Sequence, residues 1–225
     1  MSGTGPVQAF AYWDYSCPFS YIAAHRLGRL ADERPLDVHW RPFEVHPGLP
    51  EDGIPARELG YSPDQWSRAL SAVDEMAREE GLELDVPGFV PSTSRPLQAA
   101  LFAMDVGSDA FDRLHRGLFR AFFVDGRNIG LRETVLDVAA SADVDTDGLE
   151  RALEDERYAD ELRRVRAEAD RYDIDGTPTI LFGRFKVVGA APLEVLGEAA
   201  DRAAGEGPTS GESPEPPSPE DARGS

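Results

Sequence analysis

Apolar and polar positions along the chain predict strands and helices in alternation near its start. Val7–Trp13 is an apolar and aromatic run, and Leu36–Arg41 alternates apolar with polar residues, so both are predicted to be strands. Between them, Ile22, Leu27 and Leu30 recur at helical spacing, which predicts a helix that ends near Ala31. A strand, a helix and a second strand in this order begin a parallel βαβ unit.

The middle of the chain has a helical period and shows no convincing strand. Ser62 is placed to cap the first of its helices. The predicted helices are Pro63–Gly81, Leu97–Val106, Ala110–Phe123, Arg132–Ala142, Asp147–Asp155 and Tyr158–Tyr172. The strand pattern then returns in a hairpin at Thr179–Val188, and a last helix is predicted at Pro192–Ala204.

The end of the chain differs in composition from the rest. Residues 205–225 are mainly proline, glycine, serine and acidic residues and include no aromatic side chain. Such a segment cannot bury enough apolar surface to offset its ordering entropy, so it is predicted to be a disordered tail. The remaining pattern predicts an α/β fold. Its domain is discontinuous, residues 1–50 and 158–204, and an all-helical insertion, residues 51–157, interrupts it.

The net charge of the chain limits the classes of partner that we expect it to bind. The 225 residues include 42 Asp and Glu against 23 Lys and Arg, a net charge of −19, and Lys186 is the only lysine. An acidic surface argues against nucleic acid and anionic membranes as partners. Acid-rich, lysine-poor composition is typical of halophilic proteins in molar salt, where repulsion is screened within about 3 Å. No apolar run is long enough to span a membrane, and Met1–Pro6 lacks the features of a signal peptide, so we expect a cytoplasmic protein.

The single cysteine, Cys17, is predicted to lie at a strand-to-helix junction. Pro18 suits the first helical position, where its missing N–H costs nothing. The unpaired N–H groups and the helix dipole favour the thiolate there, so we expect a pKa below that of free cysteine. Ser20, near the third helical position, would point its N–H and hydroxyl at the thiolate, or is an ordinary first-turn serine. Asp14 would raise the pKa of the thiol or carry its proton, or is a strand-end acid without a role.

Two segments together resemble the DsbA-like thiol oxidoreductases of the thioredoxin superfamily. Cys17-Pro18 starts a helix, and Gly176-Thr177-Pro178-Thr179 opens a hairpin far downstream. The resemblance runs from about Val7 to about Ala204 and is closest to the cytoplasmic FrnE-like branch. Further matching segments support that branch: Trp40–Val45 with Pro47 and Pro50, then Leu118–Phe123, then Asn128–Ile129.

The resemblance implies a thioredoxin-like fold split by the helical insertion. It also implies a cis bond before Pro178, which would lie against Cys17. The Thr177 side chain would face the thiol, and its backbone N–H and C=O would pair with an extended substrate. Pro18 and Phe19, beside the thiol, are further candidates for tuning its reactivity and contacting substrate.

One departure from the family pattern bears on the mechanism. The dithiol motif has a second cysteine three residues after the first, and Ser20 stands there. With no other thiol in the chain, no internal disulfide forms, so thiol chemistry must be monothiol, with an external thiol resolving a mixed disulfide on Cys17. We expect no tightly bound cofactor, a low-molecular-weight thiol as candidate co-substrate, and a disulfide or thiol substrate that is a peptide or a small molecule. The four histidines show no metal-site spacing, so no metal is expected.

Two other interpretations stay open at this level. One is an isomerase or transferase similar to 2-hydroxychromene-2-carboxylate isomerase and kappa-class glutathione transferase, relatives that use serine at the position of Cys17 to activate a bound thiol cofactor. The other is a non-catalytic peptide binder that uses the Thr177-Pro178 edge. The sequence leaves the substrate, the direction of electron flow and the oligomeric state open.

Overall fold

A computed structural model describes residues 5–205 of the chain. The strands in this range are β1 (Val7–Trp13), β2 (Leu36–Pro42), β3 (Ile54–Pro55), β4 (Phe89–Val90), β5 (Thr179–Phe182) and β6 (Phe185–Val188). The α-helices are α1 (Pro18–Glu33), α2 (Pro63–Glu80), α3 (Ser94–Val106), α4 (Ser108–Phe123), α5 (Arg132–Ser141), α6 (Thr146–Glu154), α7 (Ala159–Arg171) and α8 (Leu193–Gly205). The predicted tail, apart from Gly205, lies outside the described residues.

The main sheet has four strands in the order β2-β1-β5-β6. β1 pairs parallel with β2, with Val7 opposite Leu36, and antiparallel with β5, with Tyr12 opposite Thr179. The parallel βαβ unit predicted for the first 42 residues is therefore confirmed. Because β5 runs against β1, the start of β5 lies beside the end of β1.

Both faces of β1 are buried, which explains its nearly continuous apolar run. Ala9 and Ala11 pack on one face with residues of α1 and α8. Phe10 and Tyr12 pack on the other face, in a cluster that includes Val165 of α7. Alternate side chains of one strand thus contribute to two separate cores.

The predicted insertion folds mainly as helices around an aromatic core. This core includes Leu118, Phe119 and Phe122 of α4 and extends to Trp13 and Tyr15 at the end of β1. The expectation of an all-helical insertion is wrong in one detail, because β3 and β4 pair as a two-stranded antiparallel sheet. Each of these strands has only two residues, too few to show an alternating pattern.

Helix α2 is held against α1 by buried ions and apolar contacts. Its first turn has the predicted cap, since Ser62 accepts from the Gln65 N–H and the Gln65 side chain accepts from the Ser62 N–H. Near its end, Glu80 pairs with Arg26 of α1 at 2.6 Å, and both side chains are almost fully buried. α2 is thereby fixed to α1 at its C-terminal end.

None of the helices within residues 5–205 is long and apolar enough to cross a membrane.

Candidate active site around Cys17

Cys17 occupies the N-cap position of α1, immediately after the loop that follows β1. Its Sγ lies 3.2 Å from the carbonyl oxygen of Thr177, the second residue before β5. The Thr177–Pro178 peptide bond is cis. The sheet topology explains this proximity, because the end of β1 and the start of β5 are neighbours although Cys17 and Thr177 are 160 residues apart.

The pKa of the Cys17 thiol is higher than its position at the start of a helix led us to expect. Burial raises the pKa of the Cys17 thiol above that of an ordinary cysteine, and the charge of Asp14 raises it further. The side chains of Thr177 and Ser20, together with the Ser20 N–H, lower the pKa but do not reverse the shift. The prediction of a lowered pKa is therefore wrong in direction, because the desolvation of the thiol outweighs its stabilisation at the helix start.

Ser20 lies on the first turn of α1 and is almost fully buried. Its hydroxyl accepts the backbone N–H of Asp14 at 3.4 Å, and its own N–H donates to the Cys17 carbonyl oxygen at 3.0 Å. Both Ser20 groups also lower the pKa of the Cys17 thiol. Ser20 therefore contacts the thiol and joins the β1 end to the start of α1.

Asp14 joins three segments of chain beside the thiol. Its carboxylate, which is fully buried, accepts from the Ser16 N–H at 2.8 Å and the Ser16 hydroxyl at 3.0 Å. It also accepts from the Val45 N–H at 2.6 Å and the Thr93 hydroxyl at 3.1 Å. Burial raises the pKa of Asp14, while these four donors lower it. All four partners donate, so the ionised carboxylate matches the hydrogen bonds around it.

Glu44 is a second carboxyl group close to this network. Burial, followed by the charge of Asp14, raises the pKa of Glu44 to about 7, and the Ser94 N–H and Arg166 oppose the shift. The Oε1 atom of Glu44 is buried without a hydrogen-bond partner among the described residues. The charge of Asp14 therefore disfavours the ionised form of a second carboxyl group, that of Glu44.

The carbonyl groups of Thr177 and Pro178 both have partners within the chain. The Thr177 carbonyl oxygen, expected to pair with an extended substrate, instead lies against the Cys17 thiol. The Pro178 carbonyl oxygen accepts the Gly189 N–H at 2.8 Å. Proline has no N–H to donate.

Cys17 opens onto a cavity of about 450 Å³. Pro18 and Phe19 line it beside the thiol, and Val45 and His46 line it from the loop after β2. Five further segments complete the walls: the turn before α2, α2 itself, the residues around β4, the end of α4 and the loop before β5. The structure thus brings together the six candidate residues from the sequence: Cys17, Pro18, Phe19, Ser20, Thr177 and Pro178.

His46 and Trp66 line the cavity and were not among the candidate site residues. A signal for His46 was present, because parallel neighbouring strands end at the same edge of a sheet. Cys17 follows β1 and His46 follows β2, so both belong to that edge. Trp66 carried no comparable signal, because the position of α2 beside the cavity depends on tertiary packing.

The other histidines lie away from the thiol. His25 is 3.8 Å from Glu80, and His39 stacks on Phe10. His115 is buried in the insertion core, where desolvation lowers its pKa to about 3. Within residues 5–205 no group of three or more His, Cys, Asp or Glu side chains is placed to hold a metal ion.

Comparison with known proteins agrees with this geometry. The chain is 25% identical to the uncharacterized protein YwbO of Bacillus subtilis, over 84% of this chain and 92% of that protein. A probable DsbA oxidoreductase from Streptomyces coelicolor superposes with a TM-score of 0.78 at 26% identity, covering 89% of this chain and 91% of that one.

A 2-hydroxychromene-2-carboxylate isomerase shares the fold, with a TM-score of 0.70 at 21% identity over 87% of this chain and 95% of its own. A sequence family described as the DSBA-like thioredoxin domain matches residues 10–201. The chain belongs to this DSBA-like thioredoxin family, and its fold is a thioredoxin fold split by a helical insertion.

Proposed function

We propose that this protein is a monothiol oxidoreductase in which Cys17 forms a mixed disulfide that an external thiol resolves. The observation that carries the proposal is the placement of the only thiol at the start of α1, against Thr177 and open to a cavity. A structural cysteine would instead be enclosed by packed side chains. Cys17 is only partly buried, so a substrate sulfur has access to it.

The reaction consists of two balanced exchanges. In the first, the Cys17 thiolate attacks a disulfide RSSR, a bond forms between Sγ and one sulfur, and RS⁻ leaves with the electron pair. In the second, an external thiolate R′S⁻ attacks the substrate sulfur of the mixed disulfide and releases the Cys17 thiolate. The net change is RSSR and R′S⁻ to RS⁻ and R′SSR. The proton of the resting thiol ends on the departing RS⁻, and the proton that R′SH loses when it ionises returns to the Cys17 thiolate and restores the resting thiol.

Ser20 restricts the chemistry to this monothiol route. It holds the position from which a second cysteine would attack the mixed disulfide, and a hydroxyl does not perform that step. No second thiol exists elsewhere in the sequence. Ser20 instead supports the Cys17 thiolate through its N–H and hydroxyl, which both lower the pKa of the thiol.

The raised pKa of Cys17 bears on the direction of the reaction. A thiol with a higher pKa is a better nucleophile once ionised and a poorer leaving group. The protein therefore favours attack on disulfides by the reduced thiol over donation of a disulfide to other thiols. This behaviour suits a reductase or an exchange enzyme.

The composition supports a cytoplasmic and salt-rich setting for this activity. The net charge of −19 with a single lysine fits a protein that works in concentrated salt. A lone reduced thiol is also the redox state that cytoplasmic thiol pools maintain. We therefore propose that the protein works in the cytoplasm, in concentrated salt, and that it belongs to the FrnE-like branch of the family.

A turnover assay tests the proposal. The protein is mixed with a small disulfide and an excess of a second thiol, and formation of the new mixed disulfide is followed by chromatography. The wild type should accelerate exchange above the uncatalysed rate, and Cys17→Ser should return it to that rate. Serine keeps a donor for the Thr177 carbonyl, so unchanged circular dichroism and melting would exclude misfolding. Equal rates for the two proteins would refute the proposal.

An isomerase that uses a thiol cofactor is the second candidate. The missing second cysteine and the cavity beside the helix start favour it. In that case a small thiol would bind in the cavity without forming a disulfide, and Cys17→Ser would retain its binding. Calorimetry of both proteins with reduced mercaptoethanol and reduced glutathione distinguishes the two candidates, because the isomerase requires equal binding of a reduced thiol by wild type and Cys17→Ser, whereas the oxidoreductase forms its bond at Cys17 only from a disulfide.

A further inference from the structure

The cavity beside Cys17 has mainly apolar walls. Trp66, Leu70 and Val73 face it from α2, and Phe89 and Phe122 close it from the insertion. Its volume of about 450 Å³ falls in the range of small-molecule sites. Burial of apolar ligand surface against these walls would supply most of the binding free energy.

The charges around the cavity disfavour an anionic ligand. Among the described residues that line it, none is lysine or arginine. Asp175 is the acidic residue of the lining, and it lies exposed on the loop before Thr177. The charge of Asp14 also reaches the thiol, since it raises the pKa of Cys17. A ligand carboxylate would lose its hydration here and would find no lysine or arginine in the lining to pair with, which is costly.

Part of the backbone around the thiol is already engaged within the chain. A peptide that adds to a sheet edge needs free N–H and C=O groups. Here the Thr177 carbonyl contacts Cys17, and the Pro178 carbonyl accepts from Gly189. α2 also lines the cavity and is fixed to α1 through Arg26 and Glu80. A cavity of this volume suits a compact ligand better than a chain that continues at both ends.

We propose that this cavity selects neutral, apolar disulfides and thiols of low molecular weight and discriminates against carboxylate-bearing ones such as glutathione. The selectivity rests on the proposed function, since the selected compound is the RSSR or R′S⁻ of the two exchange steps. Apolar walls attract the organic group, and the surrounding acids repel carboxylates. Cys17 then meets a sulfur that the cavity has already positioned.

A matched pair of reagents tests this selectivity. Dithiodipyridine and dithiobis(nitrobenzoate) are both aromatic disulfides, and only the second carries carboxylates. The rate constant of Cys17 with each is divided by the rate constant of free mercaptoethanol with the same reagent. Molar KCl screens the long-range repulsion of the acidic surface. The normalised rate should be about tenfold or more higher for dithiodipyridine, equivalent to about 1.4 kcal/mol.

Variants of Asp175, the exposed acidic residue of the lining, separate the effect of charge at the cavity from the effect of the net charge of the protein. Asp175→Asn and Asp175→Arg should raise the rate with dithiobis(nitrobenzoate) relative to the rate with dithiodipyridine, and the arginine variant should raise this ratio more strongly. Glu198→Gln, an exposed position on α8 outside the cavity lining, makes the same charge change as Asp175→Asn and should leave the ratio unchanged. Trp66→Ala should lower the dithiodipyridine rate toward that of hydroxyethyl disulfide, a neutral polar reagent.

The outcomes distinguish this inference from the proposed function. If Cys17 reacts with none of these disulfides in the folded protein, both fail. If it reacts, but equally well with the nitrobenzoate reagent or with glutathione disulfide after normalisation, only the selectivity is wrong. A faster normalised rate with the mercaptoethanol mixed disulfide of a blocked, neutral Leu-Cys-Leu peptide would overturn the choice of a small molecule over a peptide.

Discussion

Removal of the Asp14 carboxylate should weaken the fold and activate the thiol at the same time. Asp14→Ala leaves four donors without their acceptor: the Ser16 N–H, the Ser16 hydroxyl, the Val45 N–H and the Thr93 hydroxyl. Hydroxyls can rotate toward other acceptors, whereas the two backbone N–H groups cannot. Each stranded buried donor costs about 1–3 kcal/mol, so we expect a loss of about 4 kcal/mol in the free energy of unfolding.

Asp14→Asn should cost less, about 2 kcal/mol. One amide oxygen continues to accept from one side of the network, and the amide NH₂ then faces donors on the other side, the Val45 N–H above all. Relief of the buried charge offsets part of this loss. The control is Asp74→Asn on the exposed face of α2, which has the same charge change and should stay within about 0.5 kcal/mol of wild type.

The same Asp14 variants should have the opposite effect on Cys17. The charge of Asp14 raises the pKa of the thiol, so Asp14→Asn should lower that pKa and speed alkylation near neutral pH. Urea unfolding in molar KCl measures the first effect, and the pH dependence of iodoacetamide labelling measures the second. A variant as stable as wild type with an unchanged labelling profile would refute the role given to Asp14.

Three further predictions concern Ser20, Glu44 and net charge. Ser20→Cys should form an internal disulfide with Cys17 under mild oxidant, because the two positions are one helical turn apart. Mass spectrometry should show the loss of two hydrogens, and an unchanged mass would contradict the prediction. The pKa of Glu44 lies near 7, above the ordinary 4.5, so the folded state holds this proton more tightly and stability should fall as pH rises between these values. Glu44→Gln should remove that fall, and parallel unfolding profiles of the two proteins across the window would contradict the assignment. The net charge of −19 should make the melting temperature rise from dilute to molar KCl, and a flat response would mean that repulsion does not limit stability.

The sequence predicted the elements well where hydrophobic periodicity is long. Helix α2 begins at the expected residue with the expected Ser62 cap, and β1 has the expected bounds. The pairing of Cys17 with Thr177 followed from the family resemblance and is explained by the antiparallel pairing of β1 with β5. Local patterns and a recognised motif were sufficient for these features.

Features that depend on packing between distant segments were not predictable in the same way. The raised pKa of Cys17 results from desolvation at a junction where chain segments far apart in sequence meet, and the helix start alone suggested the opposite shift. The engagement of the Thr177 carbonyl and the position of Trp66 at the cavity likewise follow from tertiary contacts. Asp14 looked like a strand-end acid because its partners at Val45 and Thr93 are far away in sequence.

Intact-mass spectrometry of the exchange at Cys17 tests the central claim most directly. The reduced protein, folded in molar KCl, is treated with a neutral aromatic disulfide, sampled, and then given an excess of a second thiol. We predict the mass of one adduct on Cys17, followed by return to the starting mass as the second thiol releases it. A folded protein that stays unmodified at a reagent concentration that labels the urea-unfolded chain would contradict the claim, because the thiol would then be closed to substrate.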